Sequence, residues 1–211
     1  ITHLHWDHFH GPTLKRLVSE LGNIRFLIPK TPESRLHQDL ALFAKSIPID
    51  QLIHAKNYNY HPFNLVSFQQ GIAFADSTLA IKVGQDWIWN MNDCKLTNHS
   101  LKHLSSIAGR PKYALRSHSS ANWRSCIRGK SSEGLEVIHD KSLNSYSHEF
   151  FQSCYSTGAS IAIPFASNVA CLHRDTFQYN KPDGTQLNSF DEFVESNTSG
   201  PEVTWTYNNA F

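Results

Sequence analysis

Four histidines and an aspartate stand within the eight positions from His3 to His10, in the run Ile1-Thr2-His3-Leu4-His5-Trp6-Asp7-His8-Phe9-His10-Gly11-Pro12. A chain cannot bury so many imidazoles without giving each a partner, so this run must lie at a surface or around a ligand. On an extended segment, residues i and i+2 share a face, which puts His3 and His5 on one side. The Asp7-His8 step then turns a carboxylate and a third imidazole toward the same region, and Gly11-Pro12 opens a helix. The run therefore reads as a strand end, a loop and a helix start. Imidazole and carboxylate without thiolate suit one or two divalent ions, namely zinc, iron or manganese, and catalytic sites of this kind keep a position open for water. The plainer reading is a histidine-rich surface loop or an adventitious metal site.

The rest of the composition narrows the partners. A chain of 211 residues is long enough for one substantial core. Its 19 basic and 18 acidic residues leave a net charge of +1. That balance argues against nucleic acid or an anionic membrane as partner, and no basic run interleaved with aromatics marks a strand-binding track. A small-molecule substrate is the expected partner, and nothing bears on oligomeric state. Cys94, Cys126, Cys154 and Cys171 are scattered and form no Cys-x-x-Cys pair, so no disulfide framework is expected. No signal-peptide pattern or run of roughly eighteen apolar residues is present, which makes a reduced, cytoplasmic setting the expectation. The chain starts at Ile1, inside the histidine run and without an initiator Met, so a fragment is expected.

Periodicity places the elements. Leu14, Leu17, Val18 and Leu21 recur at helical spacing between Pro12 and Gly22. Ile24 to Ile28 reads as a buried strand stopped by Pro29, and Glu33 to Ser46, with Leu36, Leu40, Leu42 and Phe43, as a second helix. From Gln51 to Asn92 the period changes. Strands are expected at Gln51 to Ala55, Leu65 to Gln69, Thr78 to Val83 and Trp87 to Met91, with turns at Asn57 to Asn59 and Gly84 to Asp86, forming most of a second sheet. Thr97 caps a helix to Ala108. Lys112 to Arg116 and Ser160 to Phe165, the latter broken by Pro164, read as strands, and Leu143 to Tyr155 as a helix.

Two further residues stand where chemistry needs rigid side chains. Asp93 follows a strand and precedes a helix, where it serves either as a ligand or as an Asx-turn residue closing the loop. His118 ends a strand, either as a ligand or as a loop histidine bonded by neighbouring serines. Asn122 and Trp123 face substrate or pack. The segment Asn168 to Asp175, with His173-Arg174-Asp175, reads as a satisfied turn or an anion-binding loop.

The run Thr2, His3, His5, Asp7 and His8 matches the Thr-His-x-His-x-Asp-His motif of the metallo-β-lactamase superfamily, which this chain resembles. The resemblance implies an α+β fold, an αββα sandwich with a mono- or dinuclear metal site at one edge of the paired sheets. It implies a single domain over residues 1–211, truncated ahead of the motif. It also implies two ions, zinc first, with iron or manganese as alternatives. His3 and His5 would hold the first, Asp7, His8 and His118 the second, and Asp93 would bridge them, with Asn92-Asp93 replacing the more usual Gly-Asp. Water activated by the ions would attack an ester, lactone or phosphodiester of a small or sugar-like substrate, and Asp7 would act catalytically as a proton shuttle if one ion is present. The chain departs from the pattern at one place. The family supplies a histidine about twenty residues ahead of the bridging Asp, and Gly71 to Ser77 contains none. Asp76 or the more distant His61 would replace it, and a carboxylate there favours iron or manganese. An iron-dependent oxygenase related to sugar-nucleotide hydroxylases, or a non-catalytic protein with a degenerate site, is thus the alternative to a hydrolase.

Overall fold

The helix opened by Pro12 is α1, Gly11–Leu21; it starts after an extended His10 and stops at Gly22, whose φ of +64° needs a residue without a Cβ. The computed structural model describes residues 1–5, 8–42, 44–70, 76–117, 147–165 and 200–203. They belong to two compact units, Ile1–Lys112 and Tyr113–Phe211.

In the first unit, β1 (Phe26–Pro29), α2 (Arg35–Ala41) and β2 (Ile49–Leu52) form a parallel βαβ step, with Phe26 opposite Ile49 and Pro29 opposite Leu52. Its core holds Leu14, Phe26, Ile28, Leu36, Leu40 and Ala44. Ile1, Leu4 and Phe9 pack against the same core, so apolar residues alternating with the histidines anchor the histidine run. Each fully buried aliphatic or aromatic side chain contributes roughly 1.5–3 kcal/mol.

A meander of four antiparallel strands follows: β3 (Asn57–Tyr60), β4 (Phe63–Gln70), β5 (Asp76–Val83) and β6 (Asp86–Asn92). Leu65 through Gln69 are all buried, so β4 is covered on both faces. Gly84, at φ +60°, makes the turn from β5 to β6. α3 (Asn98–Ala108) begins at Thr97, whose Oγ1 accepts from Ser100 N at 3.2 Å, as the sequence predicts. His103 of this helix meets the Phe68 ring edge-on.

The second unit carries β7 (Tyr113–Ser117), β8 (Ile161–Phe165) and β9 (Glu202–Val203), paired in parallel in that order. Residues 147–157 are helical and are called α4. Arg116, buried in β7, donates to Glu149 of α4 at 2.8 Å. Phe150, Phe151 and Cys154 fill the buried side of α4. Desolvation pushes the Cys154 thiol up to about 12.

Several boundaries differ from the sequence expectation, each for a physical reason. β1 includes Pro29, because a strand end tolerates a missing N–H. α2 is shorter than Glu33 to Ser46; Ser34 lies at φ +51° and Leu42 is 73% exposed, since Leu36, Leu40 and Ala44 already fill the core. β2 pairs with β1 instead of joining the second sheet, a choice of partner that local period cannot encode. Asn57 to Asn59, expected as a turn, lies in β3, where Tyr58 and Tyr60 alternate with exposed asparagines, and the turn falls at the cis His61-Pro62 bond. β5 reaches back to Asp76. Pro164 sits buried inside β8 opposite Arg116 instead of breaking the strand. Residues 143–146 of the expected helix, Gly129 to Leu135, Asn122, Trp123, Cys126 and the 168–175 segment lie outside the described residues. Among the described residues, no helix is long and apolar enough to cross a membrane.

Two measurements check this core. Leu40→Ala should lower unfolding free energy in urea by about 2–5 kcal/mol, whereas Leu42→Ala should change it by less than about 0.5 kcal/mol. Iodoacetamide at pH 8 should leave the Cys154 peptide unlabelled in native protein and label it in denaturant, as read by mass spectrometry.

Candidate metal centre

Three tethers fix the histidine run. Ile1 N donates to Leu27 O of β1 at 3.0 Å. Ser77 Oγ of β5 donates to Thr2 O at 2.6 Å. His8 N and Phe9 N both donate to His5 O, at 2.9 and 2.7 Å, which makes the tight turn that brings His8 back toward His3. Leu4, between two histidines, packs against the βαβ core.

The outcome is a cluster built around His3. Its ring lies 4.6 Å from that of His5, edge-on, and 4.2 Å from that of His8, at ring centroids. Two groups have donor atoms within 4.8 Å of one another: His3, His5 and Asp76, and His3, His8 and Asp93. Asp93 Oδ2 is 3.4 Å from His8 Nε2 and 3.9 Å from His3 Nε2. Each group is two imidazoles and one carboxylate.

His3 is 2% exposed, and its Nε2 is buried without a hydrogen-bond partner. Its Nδ1 lies 3.1 Å from Thr2 Oγ1. When Nδ1–H donates to that hydroxyl, Nε2 carries the lone pair, the arrangement a metal-ligating imidazole needs. Desolvation, reinforced by the neighbouring His8 and His5, lowers the His3 pKa against the opposing pull of Asp76 and Asp93. The neutral, ligating form is therefore favoured at pH 7. An orphaned buried nitrogen facing carboxylates fits a divalent ion. Because one nitrogen has one lone pair, His3 serves a single ion, and a second sphere requires donors besides His8 and Asp93.

A second layer of hydrogen bonds sets the carboxylates. Asn92, buried and at φ +39°, accepts from Asp93 N at 2.7 Å and donates through Nδ2 to Ser77 O at 2.8 Å. Asparagine tolerates the left-handed region far better than most residues, which lets it stand where glycine is more usual. The same Ser77 that receives Asn92 holds Thr2, so the Asp93 turn and the histidine run are fastened to one residue of β5. On the other side of the hairpin, Gln70 stands opposite Asp76 and accepts from Ser100 Oγ of α3 at 2.6 Å.

Of the residues singled out in the sequence, His3, His5, His8, Asp76 and Asp93 come together. Asp7 and His118 lie outside the described residues. His61 stands at the opposite end of β4 from Asp76, roughly 20–25 Å away at the rise of an extended strand, too far to replace it. Sequence reasoning passed over Ser77 and Asn92 as members of the site. The only local signal was the Asn92-Asp93 pair itself; Ser77 is revealed only by pairing.

The fold is the metallo-β-lactamase fold. The chain is similar to the diiron β-hydroxylase CmlA from Streptomyces venezuelae, at 11% identity and a TM-score of 0.60 over 97% of this chain and 43% of CmlA. A mutant of CmlA superposes with a TM-score of 0.61 at 13% identity, over 97% of this chain and 42% of that one. The metallo-β-lactamase fold protein YhfI from Bacillus subtilis matches at 12% identity and a TM-score of 0.57, over 97% of this chain and 71% of its own length. The chain thus spans less than half the length of CmlA. No protein-family model and no curated protein matches it by sequence.

Two outcomes are expected. In metal-free protein the lowered His3 pKa means that, below about 6.5, the unfolded chain binds a proton the folded chain excludes. Stability should therefore fall as pH drops from 7.5 to 5.5, and His3→Gln should flatten that part of the Tm profile. Asn92→Ala should weaken metal binding roughly ten- to a hundredfold by competition against a chelator, while the circular dichroism spectrum stays unchanged.

Proposed function

We propose that this chain is a metal-dependent oxidising enzyme, a hydroxylase in chemical class, whose imidazole and carboxylate site takes iron ahead of zinc and acts on a small molecule. One observation carries the reading: a carboxylate, Asp76, closes the group with His3 and His5. Two imidazoles and one carboxylate with open positions suit non-haem iron; the same set also serves catalytic zinc, but the harder carboxylate in place of a third imidazole moves the preference toward iron. The fold likeness to a diiron hydroxylase agrees with this assignment. The displayed motif is equally that of hydrolases, which leaves hydrolysis of an ester, lactone or phosphodiester as the second reading.

Bound iron would supply dioxygen activation: R–H, O2, two electrons and two protons yield R–OH and water, with the electrons coming from an external reductant. The protein's own part is placement. Thr2 orients His3, and burial keeps its imidazole neutral. Asn92 holds the Asp93 turn, and Ser77 keeps that turn and the histidine run in fixed relation. His8 and Asp93 belong to the second sphere, completed in this proposal by Asp7 and His118; with a single ion bound, Asp7 would instead shuttle protons.

Elemental analysis of protein made anaerobically with iron and zinc both supplied tests the reading. Iron near two equivalents, with reductant-dependent oxygen uptake that falls at least about a hundredfold in His5→Ala, is expected. Asp76→His should shift bound metal toward zinc. Zinc in the wild type, with hydrolysis and no oxygen uptake, would establish the hydrolase instead. Metal far below one equivalent with cooperative unfolding intact would leave a binding protein with a decayed site.

A further inference from the structure

The parallel pair β1 and β2 ends in register at Pro29 and Leu52, with Lys30 N donating to Leu52 O at 2.8 Å. A cleft of about 410 Å3 opens there, lined by Lys30, Thr31, Pro32, Ile53, His54 and Gln69. This lies within the roughly 300–1,000 Å3 range of small-molecule sites, and the carboxyl ends of parallel strands are where open α/β sheets bind ligands.

Gln69 gives the cleft its rigid floor. It is 3% exposed, donates through Nε2 to Lys30 O at 3.1 Å, and through its backbone N–H to His54 Nδ1 at 2.9 Å. One buried residue thus pins both loops. Gln69 also stands opposite Ser77, the residue that holds Thr2 beside His3, so the cleft and the metal cluster are supported by the same strand pair.

The lining is chemically one-sided. Among the described residues, Lys30 is the charged residue of the lining and no carboxylate joins it. His54 Nδ1 accepts from Gln69, which fixes the ring at the cleft wall. Thr31 contributes a hydroxyl, while Pro32 and Ile53 supply apolar wall. A cation and a hydroxyl beside an apolar wall suit an anion attached to a compact apolar body.

We infer that this cleft is an organic-anion subsite beside the metal cluster, with Lys30 receiving the anionic group and Pro32 and Ile53 the carbon skeleton. It rests on the reading above only in making the bound anion the substrate. Binding itself requires no metal.

The probe is 8-anilinonaphthalene-1-sulfonate, compared with N-phenyl-1-naphthylamine, which has the same rings and no sulfonate, both followed by fluorescence titration of the full chain. Lys30 and Ile53 are exposed, so substitutions there leave the core intact. Expected are tighter binding of the sulfonate by about tenfold or more, a loss of about that factor in Lys30→Met without change for the neutral amine, and weakening of both probes in Ile53→Asp. Equal affinity for the two probes, or sulfonate binding unchanged in Lys30→Met, would overturn the inference. Repeating the titration after chelator treatment separates it from the metal reading. Unchanged affinity supports an independent subsite even if no iron is ever found, whereas loss of binding would show that the anion sits on metal and not on Lys30.

Discussion

Everything in the candidate site depends on keeping one imidazole buried and neutral. His3 Nε2 is without a hydrogen-bond partner, and an unsatisfied buried nitrogen costs about 1–3 kcal/mol. A fold keeps such a group only where the surroundings hold it firmly or a ligand satisfies it. Both conditions meet here: Leu4 and Phe9 fasten the run to the βαβ core, and donor atoms of His5, His8, Asp76 and Asp93 surround the ring.

The tethering is economical in residues. Ser77 takes Asn92 on its carbonyl and holds Thr2 with its hydroxyl. Asn92 in turn receives the Asp93 amide. Two segments, the histidine run and the Asn92-Asp93 turn, are thereby referred to a single position of β5. Its cross-strand partner Gln69 does the same for the loops after β1 and β2. A strand pair of the meander therefore orders the histidine cluster through Ser77 and the cleft through Gln69. Such precision comes from strand register, because a slip by one residue would move every side chain to the other face of the sheet.

The contrast between Asp76 and His61 shows where local reading stops. Both were candidates to complete the first group, and no periodicity separates them. The register Gln70 to Asp76 and Phe63 to Val83 decides between them, because it sends His61 to one end of β4 and Asp76 to the other. In the same way, the apolar alternation of Leu36, Leu40 and Leu42 signals a helix but not which residue loses its place in the core.

By itself, the sequence determined what short-range chemistry controls: the histidine run with its Asp7-His8 step, the Pro12 and Thr97 helix starts, the Gly84 hairpin turn and a nearly balanced charge. These follow from side-chain type, backbone preference and charge, which act over a few residues. Tertiary structure decided the rest: that β2 pairs with β1, that β5 begins at Asp76, and that Ser77 and Asn92 join the histidine run to Asp93. Those outcomes depend on which strand lies opposite which, and pairing is settled by the burial of whole faces. The histidines could thus be named from the sequence as candidate ligands, but it is sheet register that brings the Asp76 carboxylate to His3 and His5.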